Sequence, residues 1–491
     1  MLFVILLRLK VSSEKVVRMM LPFKTTYYLL GAIVLVFLSQ VWLACTTAFN
    51  WDEFYFLSHV YDVESRTLFP HITAHVHLFK WLRALPDTLV QMQAGRWTML
   101  MLYAFKLYLL YAILRRFEIS KEAVLLGVLA YMSSFTVLRH VISFRYDGLV
   151  SFCALLALYL SLYRSLWTWY LAAVVLAGGF IISPKALFFC PSLLLIALFR
   201  KKRPIIHCVF FVLLVLGTSS IFSSWHSHFT EEKAYWAPLK GFKLEMLLSF
   251  DSFRCQQRIQ FFIYWFIFNI LFATQLLHGM CVSFKQRRYT SLLGFILPFT
   301  CIIFYSNSYA YFYPTILLLP VYFVATSMEA LLKGAKEYRH HVAYCVLVGL
   351  LLVAAVSVKL NTHDRGYQEQ LMRVARQSFP PDITYFDVAD TIPYLQREAP
   401  IVGGGVALGK MTEYNIVATS SPPQLLIKNS IYFEKNVADF FSPADQKIME
   451  QDYLHFWGPF YVHKDYEMPA QPKEEPQMIE RDLNSYGFYA L

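Results

Sequence analysis

Charge is the first scarcity of this 491-residue chain: only 16% of its residues are charged, against 57% hydrophobic, and the mean hydropathy is +0.45. Soluble domains carry about a quarter charged residues, so a soluble globule of this length is excluded. Paired cysteines are missing too. All eight (45, 153, 190, 208, 255, 281, 301, 345) lie before residue 361, most of them in or beside apolar runs, which argues against a disulfide framework or a zinc site. None of the eight asparagines sits in an N-x-Ser/Thr sequon, which leans towards a bacterial inner membrane over a secretory-pathway one. The triple glycine Gly403-Gly404-Gly405 has neither the GxGxxG spacing nor a Walker lysine, so no nucleotide loop is read there. No internal repeat is visible. The first apolar run is long and lacks a small-x-small cleavage site, so it reads as a span and not as a signal peptide.

What the chain has in abundance is apolar blocks, mostly of roughly 17–22 residues, the length that crosses about 30 Å of hydrocarbon. The spacing predicts eleven spans, at 28–48, 95–114, 121–138, 147–163, 168–184, 186–199, 205–224, 259–280, 290–306, 312–331 and 341–360. The short blocks between 147 and 199 leave room for one tilted or re-entrant segment. With an odd number of spans, six basic segments share one side: Arg8 to Lys24, Arg115 to Lys121, Arg164, Arg200 to Arg203, Lys285 to Arg288 and Lys333 to Arg339. The positive-inside rule makes that side the cytoplasm.

The net charge of +11 divides unevenly: residues 1–360 hold 33 Lys/Arg and 15 Asp/Glu, and residues 361–491 hold 11 and 18. The basic excess is therefore an orienting signal that implies no nucleic-acid partner, and the acidic remainder reads as a separate water-exposed domain. The expected organisation is a cytoplasmic tail (1–27), a membrane domain (28–360) with outer loops at 49–94 and 225–258, and a small extracytoplasmic α/β domain (361–491). Strands are expected at 383–386, 401–407 and 425–427, and helices at 364–377 and 444–455.

Chemistry is sought on the outer side. Asp52 and Glu53 are adjacent acids at the outer end of the first span, followed by aromatic-rich amphipathic stretches at 53–65 and 72–85 that suit interfacial helices. Acids also simply mark helix ends, so position decides their weight. The short second outer loop carries Arg145, Tyr146 and Asp147, and Lys185 stands at the outer end of the fifth span. Arg145 and Lys185 can reach a phosphate at headgroup depth; the plain alternatives are a snorkelling Arg145 paired with Asp147 and a span-end anchor at Lys185. His75 and His77, like His226 and His228, are two apart and share no helical face, so no metal site is read there, although Glu231 and Glu232 leave a divalent cation open.

In this order the motifs resemble a known family. A first span ending in Asp52-Glu53 before Phe54-Tyr55-Phe56, interfacial helices, Gly95-Arg96-Trp97 at the second span, Arg145-Tyr146-Asp147, Gly178 to Lys185 and Tyr309 to Pro314 together resemble the GT-C glycosyltransferases. The nearest patterns are lipid A aminoarabinose and galacturonosyl transferases and protein O-mannosyltransferases. The resemblance spans about residues 25–330. Where many members have Lys-Pro in the first loop, this chain has His75 to Lys80, and Pro184-Lys185-Ala186 lacks the usual glycine.

The resemblance implies an all-α polytopic bundle and transfer of a sugar from a polyprenyl-phosphate carrier to a lipid, glycan or protein acceptor, with inversion. Asp52 is the implied base, assisted by Glu53, with Asp147 as a second acidic motif. Arg145, Lys185, Arg96, His77 and Lys80 are the implied phosphate ligands. No cofactor is indicated beyond that open divalent cation. Two rivals stay in view: an O-antigen ligase or polymerase, which would rest on the third outer loop, and a lipid-linked sugar flippase, which would place charges at mid-bilayer. Neither sugar nor acceptor has a signature in the sequence.

Overall fold

The computed structural model describes residues 25–65, 74–196, 198, 204–229, 252–305, 310–335, 339–360, 365–386, 392, 395–397, 422–427 and 442–472. These residues are predominantly helical. The helices are α1 Thr25–Thr46, α2 Trp51–Ser65, α3 Val76–Phe79, α4 Thr88–Arg115, α5 Lys121–Ser133, α6 Phe135–His140, α7 Asp147–Ser161 and α8 Leu166–Ile182. There follow α9 Cys190–Leu195, α10 Ile205–Ser227, α11 Ser252–Phe268, α12 Ile270–Lys285, α13 Tyr289–Phe304, α14 Tyr313–Ile316, α15 Val321–Gly334, α16 Arg339–Leu360 and α17 Gly366–Ser378.

Four helices (α1, α4, α10 and His340–Leu360 of α16) are long and apolar enough to cross a membrane, and five if the pair around residue 269 counts as one. Shorter apolar helices lie at Asp147–Ser161, Leu166–Ile182, Pro184–Leu195 and Tyr289–Thr300. Large apolar side chains stand outward on these rods, such as Phe105 at 62% and Ile221 at 72% exposure. Continuous apolar surface of this kind is stable against hydrocarbon and not against water. The chain is compatible with a helical membrane protein.

Several expected spans are interrupted, each for a visible reason. The third breaks at Ser134 between α5 and α6. The eighth, expected as one helix over 259–280, bends by 96° at Asn269. Asn269 Oδ1 accepts from Ser134 Oγ (2.7 Å) and from the Phe135 backbone N–H (2.8 Å), while its Nδ2 donates to Trp265 O (2.8 Å). One amide thus satisfies the backbone at two helix breaks, which an apolar medium demands. The tenth span is a 3-10 turn, Ala310–Phe312, then α14, then α15.

Packing centres on a single apolar cluster through α1, α4, α5, α7, α8 and α15. Helix α8 lies against α7 and α10, and α15 against α5 and α12. The α12–α15 crossing is close enough that a Cβ at Gly279 would stand 1.8 Å from Phe323 O, the small-residue contact by which membrane helices approach.

The C-terminal part forms a five-stranded sheet of β1 Thr384–Phe386, β2 Gln396–Arg397, β3 Leu425–Ile427, β4 Tyr453–Trp457 and β5 Phe460–His463, in the order β2-β1-β3-β5-β4. Strand β1 is parallel to β2 and β3, and β3–β5 and β5–β4 are antiparallel. Leu371, Val374 and Ala375 of α17 cover it, with Tyr385, Leu425, Phe460 and Val462 below. The helix expected over 444–455 ends sooner: α18 spans Pro443–Asp452, and Tyr453–Trp457 is a strand, turned by Gly458 at φ 49° into β5. β-Branched and aromatic residues paired across a tight turn outweigh the helical period there. The strand expected at 401–407 lies outside the described residues.

Replacing Gly279 by Ala is expected to lower stability by about 1–3 kcal/mol through overpacking. Gly217→Ala, where nothing lies within 4 Å of the new Cβ, should leave it near wild type. Thermal unfolding midpoints in detergent would decide; equal midpoints for the two variants would refute the close contact.

Candidate functional site

The site begins with the way α1 hands over to α2. Asn50 caps α2: its Oδ1 accepts from the Asp52 N–H (3.1 Å), and Glu53 Oε2 accepts from the Asn50 N–H (2.7 Å). This reciprocal arrangement is a capping box, and it sets Asp52 in the first turn, where the helix dipole favours an anion.

Glu53 is completely buried. It receives a bidentate pair from Arg96 of α4 (Nε 2.8 Å, Nη2 2.7 Å) and a third hydrogen bond from the Phe144 N–H (2.8 Å). Arg96 spends its remaining donors on the carbonyls of Ala44 (3.2 Å), Thr47 (2.8 Å) and Ala48 (2.8 Å), with its guanidinium 4.3 Å from the Phe49 ring centre. Both members of the pair are saturated by protein groups. Arg96, which the resemblance implied as a phosphate ligand, is a clasp between the end of α1, α2 and α4 with its donors taken up by protein groups, and Glu53 holds the turn that carries Asp52.

A second set of charges lies beside this clasp. Asp52 pairs with Arg145 Nη1. Arg145 Nε stands 3.4 Å from Asp147 Oδ2, and Lys185 Nζ is 2.6 Å from Asp147 Oδ1. All four side chains are at most 10% exposed. The result is an alternating row, Asp52–Arg145–Asp147–Lys185, brought together from three chain segments. Arg145 pairs with Asp147 as the plain reading had it, yet it also reaches Asp52. Lys185, in the 3-10 turn Pro184–Phe189 after α8, is buried and ion-paired and is not an exposed anchor.

Aromatic rings wall this row. Arg145 lies 3.7 Å from the Tyr311 ring centre and 5.7 Å from that of Phe56, and Lys185 Nζ lies 5.0, 5.1 and 4.9 Å from Tyr146, Tyr311 and Phe312. Cations over ring faces lose less on leaving water, so two cations can be held here with only two carboxylates.

His77 and Lys80 do not join the row. His77 Nε2 is 2.9 Å from His226 Nδ1, among the rings of Trp225 (4.4 Å) and Phe229 (4.8 Å). Burial and then the Lys80 charge hold His77 below the ordinary imidazole range, so it is neutral at neutral pH. Lys80 is exposed on the 3-10 turn Lys80–Ala84. His228 ends α10, and Glu231 and Glu232 lie outside the described residues. Among the described residues no group of three or more His, Cys, Asp or Glu is placed to hold a metal ion.

Three contributors have roles that the sequence motifs do not reveal. Lys106, in the middle of an apolar helix, is 3% exposed with Nζ 3.1 Å from Ser151 Oγ; its charge inside a span was the available signal. Tyr311 belongs to the Tyr309 to Pro314 motif, which does not reveal its place over Arg145. Gln368 of α17 accepts from the Phe49 N–H (2.7 Å) and donates to the Phe49 carbonyl (2.9 Å), closing on the residue before the cap. Arg365, Gln368, Met372 and Arg376 share one face of α17 by helical spacing. Arg365 donates to Gln93 Oε1 (2.9 Å), Arg376 lies 3.7 Å from Asp87, and Met372 is buried with Phe49, Phe54 and Phe144.

No protein-family model matches the chain, and no curated protein sequence matches it.

Removing Arg96 strands a buried carboxylate, so Arg96→Met is expected to destabilise by about 3–5 kcal/mol. Arg96→Lys should recover little of this, because one ammonium cannot replace the forked contacts. Midpoints of thermal unfolding test both, and a wild-type midpoint in the Met variant would contradict the clasp. Gln368→Ala should speed amide exchange at Phe49 roughly fivefold, the worth of a net hydrogen bond near 1 kcal/mol; hydrogen exchange read by mass spectrometry measures it, and unchanged protection would count against the contact.

Proposed function

We propose that this protein is an integral-membrane glycosyltransferase of the GT-C type, moving a sugar from a polyprenyl-phosphate carrier to an extracytoplasmic acceptor. The observation that carries this reading is the buried alternating row Asp52–Arg145–Asp147–Lys185, flanked by aromatic rings at the ends of apolar helices.

The row has the parts that such a transfer needs. Arg145 is shared between two carboxylates, so an incoming phosphate competes for it and for Lys185. As the phosphate takes up Arg145, Asp52 is released from its ion pair and becomes available as a base. The acceptor hydroxyl gives its proton to Asp52 while its oxygen bonds to the anomeric carbon. The bond from that carbon to the phosphate oxygen breaks, and the carrier phosphate leaves with the electron pair, stabilised by Arg145 and Lys185. Attack opposite the leaving phosphate inverts the anomeric centre. Asp147 holds the two cations in register, and Glu53, through the Arg96 clasp, fixes the turn that presents Asp52.

In this reading the bundle has eleven spans in the inner membrane of a bacterium. The basic loops face the cytoplasm, and α2, α3, the charged row and the C-terminal α/β domain lie on the extracytoplasmic side. The contact of α17 with Phe49 supports a role for that domain in ordering the active site. Acceptors of the class are lipids such as lipid A, envelope glycans and proteins.

The decisive experiment offers radiolabelled polyprenyl-phosphate sugars to membranes holding wild type or Asp52→Asn. Sugar transfer by wild type, reduced about 10²–10⁴-fold by the substitution at equal expression, is the expected result. Full activity in the variant would remove Asp52 as the base, and failure to consume any carrier-linked sugar would discard the donor class.

A further inference from the structure

The reaction just proposed does not use Lys106, a buried cation within α4. It sits on α4, seven residues beyond Met99, which is roughly 10 Å of helix. Met99 itself faces the start of α7, since a Cβ on Gly148 would stand 3.1 Å from its Sδ. From that depth Nζ reaches back to Ser151 Oγ, and Ser151 Oγ donates in turn to the carbonyl of Asp147 (2.9 Å). The Tyr103 ring centre is 5.7 Å from the ammonium.

The charge count around Asp147 is then uneven. Asp52, Arg145, Asp147 and Lys185 sum to zero, and Glu53 and Arg96 cancel each other. Lys106, in its protonated form, leaves the described cluster with one cation in excess. An ammonium has three hydrogens to donate, and Ser151 is one acceptor. A buried cation without a counter-charge is expensive in apolar surroundings, and an anion entering the site removes that cost.

We infer that Lys106 sets the charge of this site, acting through Ser151 and Asp147 as a positioning residue that leaves the cluster electrically complete only when a phosphate-bearing ligand occupies it. The inference rests on the proposed function for the choice of phosphate as the anion; the excess charge stands without it. The ligand chemistry is a phosphate group, carried by a polyprenyl lipid or free.

The test uses the purified full-length protein in nanodiscs, as wild type, Lys106→Met and Lys106→Arg, with undecaprenyl phosphate, uncharged undecaprenol and inorganic phosphate as probes. Loss of the charge is expected to weaken undecaprenyl phosphate binding by at least about tenfold, with undecaprenol affinity within about twofold of wild type. The ligand-free Met variant should unfold at a midpoint equal to or above wild type, because an uncompensated buried charge has been removed. Lys106→Arg should restore phosphate affinity to within about threefold, since it restores the charge. If inorganic phosphate binds with the same dependence on Lys106 and the lipid phosphate has no advantage, the charge-setting role stands and the carrier reading fails. Unchanged affinity of the Met variant for every phosphate probe would overturn the inference. So would equal losses for undecaprenyl phosphate and undecaprenol with a lowered midpoint, which would make Lys106 a packing residue.

Discussion

A fully buried carboxylate in an apolar bundle stays charged only if every lone pair is answered, and the rest of the site depends on how Glu53 meets that condition. Its partners come from three places: the Arg96 fork on α4, the Asn50 N–H at the head of α2 and the Phe144 N–H in the loop before α7. Arg96 adds three carbonyls at the end of α1. One ion pair thus fixes the mutual placement of the α1–α2 turn, α4 and the loop before α7; the turn and the loop carry Asp52, Arg145 and Asp147. Buried pairs contribute little net stability, but breaking one is costly, so the arrangement favours a single geometry.

Beside this saturated pair stands one that is not. Arg145 divides its guanidinium between Asp52 and Asp147, and Lys185 has one carboxylate and three aromatic rings. The contrast separates structure from chemistry within a few residues of chain. Glu53 and Arg96 have nothing left to offer a ligand, whereas the alternating row can exchange partners. In the proposed transfer that exchange couples arrival of the phosphate to release of the base.

The C-terminal sheet is tied to this machinery through one helix with two working faces. Leu371, Val374 and Ala375 of α17 lie on the sheet, while Gln368 and Met372 lie against the turn between α1 and α2. Gln368 satisfies both backbone groups of Phe49, whose ring lies near Arg96 on one hand and Arg365 on the other. A domain that could have been an appendage is therefore part of the support of Asp52.

The sequence by itself determined that the chain is apolar beyond what water tolerates, where most helices run, and which acids and cations cluster at helix ends. These follow from composition and from periodicity, which are local. It also contained the Asn50-x-x-Glu53 capping box and the lone charge of Lys106, and both could have been read from spacing alone. Only the tertiary structure decided which partner each charge takes. Arg96 and Arg145 look alike in sequence, each an arginine at an outer helix end, but one is consumed by Glu53 and three carbonyls and the other is shared between two acids. The breaks at Ser134 and Asn269 were likewise hidden, because hydropathy measures the preference for hydrocarbon and not the hydrogen bonds that make a bend tolerable there. Partner choice and bending depend on contacts between separate chain segments, 43 positions apart for Glu53 and Arg96 and 135 for Ser134 and Asn269, and no local pattern encodes them.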